Sequence, residues 1–376
     1  MKKKEKAHPA GLSPHKKTFG RYYSRQTELF ISGRDGYHTY RIPALVVSSG
    51  GTILAFCEGR KNSSSDSGDI DIVLRRSLDN GQGWEPMRVI ADNGRDTVGN
   101  PAPVLDRSTG IIWLLLTENL ADGPEDMIVA GKAPRTVWVT WSSDDGLTWA
   151  EPKEITRDTK DPSWTWYATG PCHGIQLQNG RLVIPCDHVL GNSRNYAESA
   201  HSHVIYSDDH GASWKIGGVA HAGTNESVVV QTVDGSLYLN CRNYTGAKRR
   251  AHAWSYDNGE TFPKFGWDDA LVEPICQASM IRFTAENSHG RNRVLFSNPA
   301  SMNRERMTIR LSYDECQTWN AGKVLYAGPS AYSDLCIAHD MSICCLYECG
   351  ESRPYETITF AQFDLEWLAD GKEKLH

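Results

Sequence analysis

Apolar residues in this chain fall in short runs separated by turn residues, and within the runs polar and apolar positions tend to alternate. Alternation begins at Glu28-Leu29-Phe30-Ile31. Ala44-Leu45-Val46-Val47, a Ser48-Ser49-Gly50-Gly51 turn and Thr52-Ile53-Leu54-Ala55-Phe56 then read as a hairpin. Similar runs recur at Ile70-Asp71-Ile72-Val73-Leu74, at residues 111–116 and 136–141, on both sides of Asn179-Gly180 and of Asp234-Gly235, and at 203–206, 294–296, 307–311 and 357–360. Runs of this length and composition between turn signals predict strands. No sustained 3.6-residue amphipathic pattern is present; only residues 365–368 read as a short helical turn. The expectation is an all-β chain, with residues 1–27 a polar, basic N-terminal tail and residues 28–376 a single domain.

One turn recurs. Ser207-Asp208-Asp209-His210-Gly211-Ala212-Ser213-Trp214 has the form S-x-D-x-G-x-(S/T)-W. It returns at Ser142–x–Asp144–x–Gly146–x–Thr148–Trp149, and more loosely from Ser77 to Trp84 and from Ser255 to Phe262. In a fifth copy, from Ser312 to Trp319, Cys316 stands where the others carry glycine. The Ser and Asp side chains can bond nearby backbone N–H groups, and the glycine accepts positive φ. One copy would be an ordinary hairpin. Five copies, spaced 65, 65, 48 and 57 residues apart, mark one supersecondary unit repeated around the fold. Six four-stranded units of about 58 residues or seven of about 50 would both fit a propeller.

Composition narrows the function. The formal net charge is −6, which argues against a nucleic-acid footprint while leaving room for a local basic pocket. The start, Met1-Lys2-Lys3-Lys4-Glu5-Lys6, has no apolar stretch behind it, so the visible sequence reads as cytoplasmic; removal of a signal would make the protein secreted, periplasmic or lysosomal. No run reaches the apolar length of a membrane span. The ten cysteines lack paired C-x-x-C spacing and read as free or buried thiols. His188, His201 and His203 lack a metal-site frame and read as surface or supporting histidines, so no metal is expected, and without a phosphate-binding loop no cofactor either.

Tyr40-Arg41-Ile42-Pro43 near the start, followed by the repeated Asp-containing turns, resembles the exo-α-sialidases (neuraminidases) over nearly the whole chain from about residue 28. The approach Glu58-Gly59-Arg60-Lys61-Asn62-Ser63-Ser64-Ser65-Asp66 looks closest to the lysosomal-type animal enzymes and their bacterial relatives. The resemblance implies a six-bladed β-propeller of four-stranded antiparallel blades. It also implies partners that are sialylated oligosaccharides, glycoproteins or glycolipids. The sugar they end in carries a carboxylate on its anomeric carbon, and guanidinium groups bind carboxylates in forked pairs. The matching arginines are Arg41, Arg242 in Leu239-Asn240-Cys241-Arg242-Asn243, and Arg304, which follows Phe296-Ser297-Asn298-Pro299-Ala300. Arg249, Arg250, Arg306 and Arg310 compete nearby, and Arg310, inside an alternating run, reads as structural.

The same resemblance assigns the remaining roles. Sialidases are the tyrosine exception to two-carboxylate glycosidases, and the matching residue is Tyr332 in Ser330-Ala331-Tyr332-Ser333-Asp334-Leu335. A phenol of ordinary pKa near 10 needs a base beside it, and Glu226 in Asn225-Glu226-Ser227 matches the family's glutamate. Asp66, nine residues before Arg75-Arg76, matches the acid/base group, with Asp69 and Asp71 as competitors. Arg60 is expected to support the bound carboxylate or Asp66. Trp166 and Tyr167 are expected to wall the pocket, with core packing as the alternative. Cys172 departs from the family's usual Gly-Pro-Gly, and leaves that loop's geometry open. Two further readings stand beside this one: a catalytically silent sialic-acid-binding propeller, which would need the arginine clamp without the acid, base or tyrosine and is disfavoured because all six positions are filled, and a trans-sialidase, which would share every catalytic residue and pass the sugar to a galactoside acceptor.

Overall fold

A computed structural model describes residues 24–375, and all the extended structure in it is arranged in antiparallel neighbours apart from one parallel contact. Most of the expected 1–27 tail lies outside the described residues. Within the described residues the strand already includes Ser24, ahead of Glu28, because Ser24–Ile31 pairs antiparallel with Thr357–Phe363 from Ser24↔Phe363 to Ile31↔Thr357. The polar Ser24-Arg25-Gln26-Thr27 segment hides this strand from an alternation test.

The chain then runs through successive antiparallel groups. Thr39–Val47, Ile53–Arg60, Ile70–Ser77 and Arg88–Ala91 form the first. Thr97–Leu105, Ile112–Asn119, Arg135–Ser142 and Lys153–Glu154 form the second, joined to the first through Ile70↔Thr97 into an eight-stranded sheet. Trp164–Thr169 and Ile175–Gln176 both pair with Leu182–Leu190, followed by Ala200–Ser207 and Lys215–Ala222. Thr224–Gln231, Leu237–Asn243, Arg249–Ser255 and Lys264–Val272 make a four-stranded sheet. Ser279–Thr284, Arg293–Pro299, Glu305–Ser312, Lys323–Ile337, Ile343–Cys349, Thr357–Phe363 and Ser24–Ile31 complete a seven-stranded sheet. The 15-residue strand Lys323–Ile337 serves two neighbours: its first half pairs with Glu305–Ser312 and its second, from Ser330, with Ile343–Cys349.

Alternation misses strands of two opposite kinds. Lys264–Val272 and Lys215–Ala222 are outer strands that bury few residues, so they read as loop. Ile343–Cys349 is buried throughout, so it has no polar face to alternate with.

All five recurring turns have one hydrogen-bond pattern. The serine Oγ donates to the aspartate Oδ1 at 2.7–2.9 Å, as in Ser207→Asp209 and Ser312→Asp314. The backbone N–H at the glycine position donates back to that Oγ, and the N–H two residues on donates to Oδ1. These turns also fasten neighbouring groups together: Trp84 packs against Phe360, Trp149 against Phe56 and Trp214 against Trp113. Glycine is required there twice over. Gly211 sits at φ 88°, and a Cβ would lie 2.1 Å from Trp113 Cε2. Cys316 takes the equivalent position at φ 67°, its side chain beside Met280 in the core cluster that also holds Phe296 and Trp319.

Gly211→Ala is expected to cost about 2–5 kcal/mol, the sum of left-handed backbone strain and overpacking. Gly235→Ala, at φ 90° with open space around it, should pay only the backbone part, about 1–2 kcal/mol. Urea unfolding of the two variants checks this; equal losses would remove the packing contribution.

Candidate active site

Five strands share an irregularity that aims side chains into one cavity. Register shifts fall between Arg41 and Ala44, Gly99 and Ala102, Trp164 and Tyr167, Thr224 and Ser227, and Ser330 and Ser333. A bulge places one extra residue on its strand and re-aims the side chains around it. Each of these shifts presents or adjoins a cavity-lining residue: Arg41 and Ile42, Asn100, Trp166, Asn225 and Glu226, and Tyr332. Ile42 and Asn100 take φ of 60° and 55°, each followed by proline and alanine. A β-branched residue at positive φ is strained, and persists only where its surroundings hold it. Here the Ile42 N–H donates to buried Glu348 Oε1 at 2.9 Å.

The cavity has a volume of about 260 Å³. Of the residues singled out from sequence, Arg41, Arg60, Asp66, Trp166, Glu226, Arg242, Arg304 and Tyr332 all line it. Tyr167 does not. It points the other way along its strand into the core, fully buried among Trp164, Leu182 and Cys186. Trp166 instead lies under the Arg135 guanidinium, 4.0 Å from its ring centre. The assignment of Tyr167 to the pocket wall is therefore corrected: adjacent residues of a strand face opposite sides.

Tyr332 is the centre of the arrangement. Its hydroxyl donates to Glu226 Oε1 at 2.5 Å and accepts from Arg242 Nη1 at 3.0 Å. The Arg242 group also donates to Glu226 Oε2 at 2.6 Å and to the Tyr244 hydroxyl at 3.0 Å. The guanidinium carbons of Arg41 and Arg304 lie 5.1 and 5.5 Å from the Tyr332 ring centre. Burial and Glu226 push the Tyr332 phenol well above its ordinary range, against the pull of Arg242 and Arg304. The phenol is thus neutral at rest and hydrogen-bonded to a carboxylate able to take its proton.

Each cation is held differently. Arg41 Nε donates to Glu348 Oε1 at 2.7 Å, and the other oxygen of Glu348 accepts the Tyr332 backbone N–H at 3.0 Å. One buried carboxylate therefore sets the relative position of Arg41 and Tyr332. Arg304 donates to the Tyr355 hydroxyl at 2.7 Å and the Ile275 carbonyl at 3.2 Å, and no described carboxylate forms an ion pair with it. Arg60 makes a two-pronged contact with Glu58 at 3.0 and 2.7 Å and pairs with Asp66 at 2.7 Å. Asp66 sits on the loop over the cavity with its side chain 70% exposed, 4.0 Å from Arg41. Desolvation works to raise the Asp66 pKa, but Arg60 and Arg41 outweigh it and hold the carboxyl below its ordinary value.

The competing residues have other partners. Asp69 and Asp71 pair with Lys61 at 2.8 and 3.1 Å, away from the cavity. Arg250 is fully buried against Glu273, and Arg310 donates to the Asn320 and Ala321 carbonyls. Cys172, at φ 117°, is buried in the core. All ten cysteines are free and buried. His188 and His203 are buried rather than on the surface, with their Nδ1 atoms 3.0 Å apart, and burial pushes His188 down to about 3. Among the described residues no cluster of His, Cys, Asp and Glu could hold a metal ion, and no helix is long and apolar enough to cross a membrane.

Sequence reasoning missed Glu348, Glu58, Tyr355, Tyr244 and Asp187. Three carried a signal, a lone carboxylate inside an apolar run: Phe56-Cys57-Glu58, Tyr347-Glu348-Cys349 and Pro185-Cys186-Asp187. A buried carboxylate almost always has a partner to serve. Tyr355, in a polar loop, carried none.

Residues 51–345 match the family model for a BNR repeat-like domain. An exo-alpha-sialidase of Aspergillus fumigatus is 33% identical over 89% of this chain and 86% of its own length. Sialidase-3 of Mus musculus is 32% identical over 91% of this chain and 94% of its own length. Among solved structures, the Hadza microbial sialidase Hz136 superposes with a TM-score of 0.80 at 31% identity, covering 91% of this chain and 69% of that one. Trypanosoma rangeli sialidase in complex with sialic acid, at 20% identity and a TM-score of 0.75 over 93% of this chain and 60% of that one, shares the fold. The chain belongs to the sialidase family of glycoside hydrolases.

Glu348→Ala removes the one carboxylate shared by Arg41 and the Tyr332 backbone and is expected to destabilise the protein by about 3–5 kcal/mol, as when a buried ion pair loses one partner. Denaturant unfolding measures it; a loss below about 1 kcal/mol would mean that Glu348 does not organise the site.

Proposed function

We propose that this protein is a retaining exo-α-sialidase, which removes terminal α-linked sialic acids from oligosaccharides, glycoproteins or glycolipids through a covalent tyrosyl-sialyl intermediate. The observation that carries this reading is the contact set at Tyr332: a phenol hydrogen-bonded to Glu226 at 2.5 Å, with Arg41, Arg242 and Arg304 around it. It is supported by relatives named exo-alpha-sialidase and sialidase at about this chain's own length.

We also propose that the domain is one propeller of six four-stranded blades. The single parallel bridge Ile70↔Thr97 reads as the seam between two blades, and the long strand Lys323–Ile337 as an edge of one blade continuing into the inner strand of the next. Ser24–Ile31 then supplies the outer strand of the last blade, clasping the two ends of the domain.

The substrate's carboxylate would sit among Arg41, Arg242 and Arg304, supplying the charge that Arg304 lacks. As the glycosidic C–O bond breaks, the Tyr332 oxygen bonds to the anomeric carbon, its proton passes to Glu226, and the Asp66 proton goes to the leaving oxygen. Water then gives a proton to Asp66 while its oxygen replaces Tyr332 on the anomeric carbon, and Tyr332 recovers its proton from Glu226. A neutral nucleophile suits this substrate, because a carboxylate would meet the sugar's own negative charge. Fixed guanidiniums favour the charge that develops on the sugar and need not reorganise.

Asp66 must carry a proton to act first, yet Arg60 and Arg41 keep it ionised in the free protein. Sugar carboxylate binding at Arg41 brings a second negative charge beside Asp66 and raises its proton affinity. Hydrolysis is therefore expected on the acid side of neutrality. The fraction of free protein with Asp66 protonated falls as pH rises, so kcat/KM should fall with it through the acidic range, and Asp66→Asn should lose that pH dependence along with most of the activity. Initial rates on a fluorogenic aryl α-sialoside across pH test this; an alkaline optimum would contradict it.

Tyr332→Phe should retain binding of the planar 2,3-unsaturated sialic acid analogue while turnover drops by at least about a hundredfold. Turnover like that of the parent protein would remove Tyr332 as nucleophile, and an inactive parent that still binds the analogue would favour the silent-binder reading. Product analysis with and without a galactoside acceptor separates hydrolysis from transfer.

A further inference from the structure

Asp187 is a cavity-lining carboxyl that the catalytic scheme does not use. It lies on Leu182–Leu190, opposite Ser202 on one side and Ala168 on the other, and is fully buried. Its Oδ1 accepts the Asn225 side-chain amide at 2.8 Å, while its Oδ2 is buried without a hydrogen-bond partner. No cation among the described residues forms a salt bridge with it. A buried carboxylate with one free oxygen and no counter-ion is costly, whereas the neutral acid form is not.

We infer that Asp187 is a positioning and specificity residue, a neutral carboxylic acid whose Oδ2–H donates to an uncharged oxygen of the bound sugar. The inference deepens the proposed function and rests on it for the identity of the ligand. The groups around Asp187 fit the assignment. Burial acts first, Glu226 and Glu125 reinforce it, and together they overcome Arg242 and Arg135 to push the carboxyl well above its ordinary range. Ionisation would add a negative charge beside Glu226, in the cavity that must receive a carboxylate. The acid form therefore gives the wall a donor without weakening the cationic clamp. A hydroxyl or carbonyl oxygen on the sugar is the kind of group it takes; an anionic substituent at that point would have its charge next to Glu226.

Two variants and two readouts test this. Asp187→Asn keeps the shape, an N–H donor at the Oδ2 position and an acceptor for Asn225; Asp187→Ala removes both. With the fluorogenic aryl α-sialoside, D187N is expected to keep KM within about threefold, while D187A raises it about tenfold or more with a smaller change in kcat. The parent's KM should climb as rising pH ionises Asp187, and D187N should lack that climb. Equal KM for all three proteins, or an amide variant as impaired as the alanine one, would overturn the inference.

The second readout needs no substrate. A carboxyl protonated when folded and ionised when unfolded makes folding less favourable as pH rises above its unfolded value near 4. The stability of D187N relative to the parent should therefore increase from pH 4 towards neutrality, in chemical unfolding of each protein. A pH-independent difference would show Asp187 to be ionised in the folded protein and would overturn the inference even if every sialoside proved inert. Inert sialosides with the pH-dependent difference intact would count against the proposed substrate while leaving the neutral acid in place.

Discussion

Three guanidinium groups must be kept together around one phenol, and like charges do not stay together without compensation. The compensation here is partial. Glu348 answers Arg41 and Glu226 answers Arg242, while Arg304 has only a phenol hydroxyl and a carbonyl. A clamp built this way remains cationic, pre-shaped and short of one negative charge. A ligand carboxylate supplies that charge without any side chain first having to abandon a partner. The anions already present do more than neutralise. Glu348 binds the backbone at both Ile42 and Tyr332, so the clamp and the phenol are referenced to the same pair of oxygens.

Stability and chemistry are assigned to different parts of the strand groups. The recurring turns carry the aromatic plugs and the glycines that let neighbouring groups approach, and they depart little from one hydrogen-bond pattern. The strands with the register shifts carry the left-handed Ile42 and Asn100 together with Arg41, Glu226 and Tyr332, while Glu58, Arg60, Asp187 and Arg242 reach the cavity from the strands paired beside them. Strain is tolerable there because the surrounding sheets are already fixed. Even Cys316, the one departure among the five turns, leaves the pattern intact and sits away from the cavity.

The repeats and the all-β class were legible because each rests on a local signal, and the residues matched through the family motifs, Tyr167 excepted, line the cavity. A serine, an aspartate and a glycine at fixed offsets make a turn wherever they occur, and Arg41 stands in a short motif with its own proline. Tyr167 was misplaced because a dipeptide of aromatics does not say which member faces the cavity. That choice was made by the shift between Trp164 and Tyr167, which no local pattern announces. The outer strands were missed because sheet edges are polar, and the strand at Ser24 because its partner lies at the far end of the chain. Tyr355 and Arg135 reach the cavity through contacts distant in sequence, which is where single-sequence reading ends.

In the proposed chemistry Tyr332, paired with Glu226 inside the arginine clamp, forms the bond to the sugar. The most direct measurement is to trap that bond: incubate the protein with 2,3-difluorosialic acid, digest it and locate the added mass. One equivalent of sugar is expected on the peptide containing Tyr332, attached to the phenolic oxygen. An adduct on Glu226 or Asp66, or turnover of sialosides with no adduct at any residue, would contradict it.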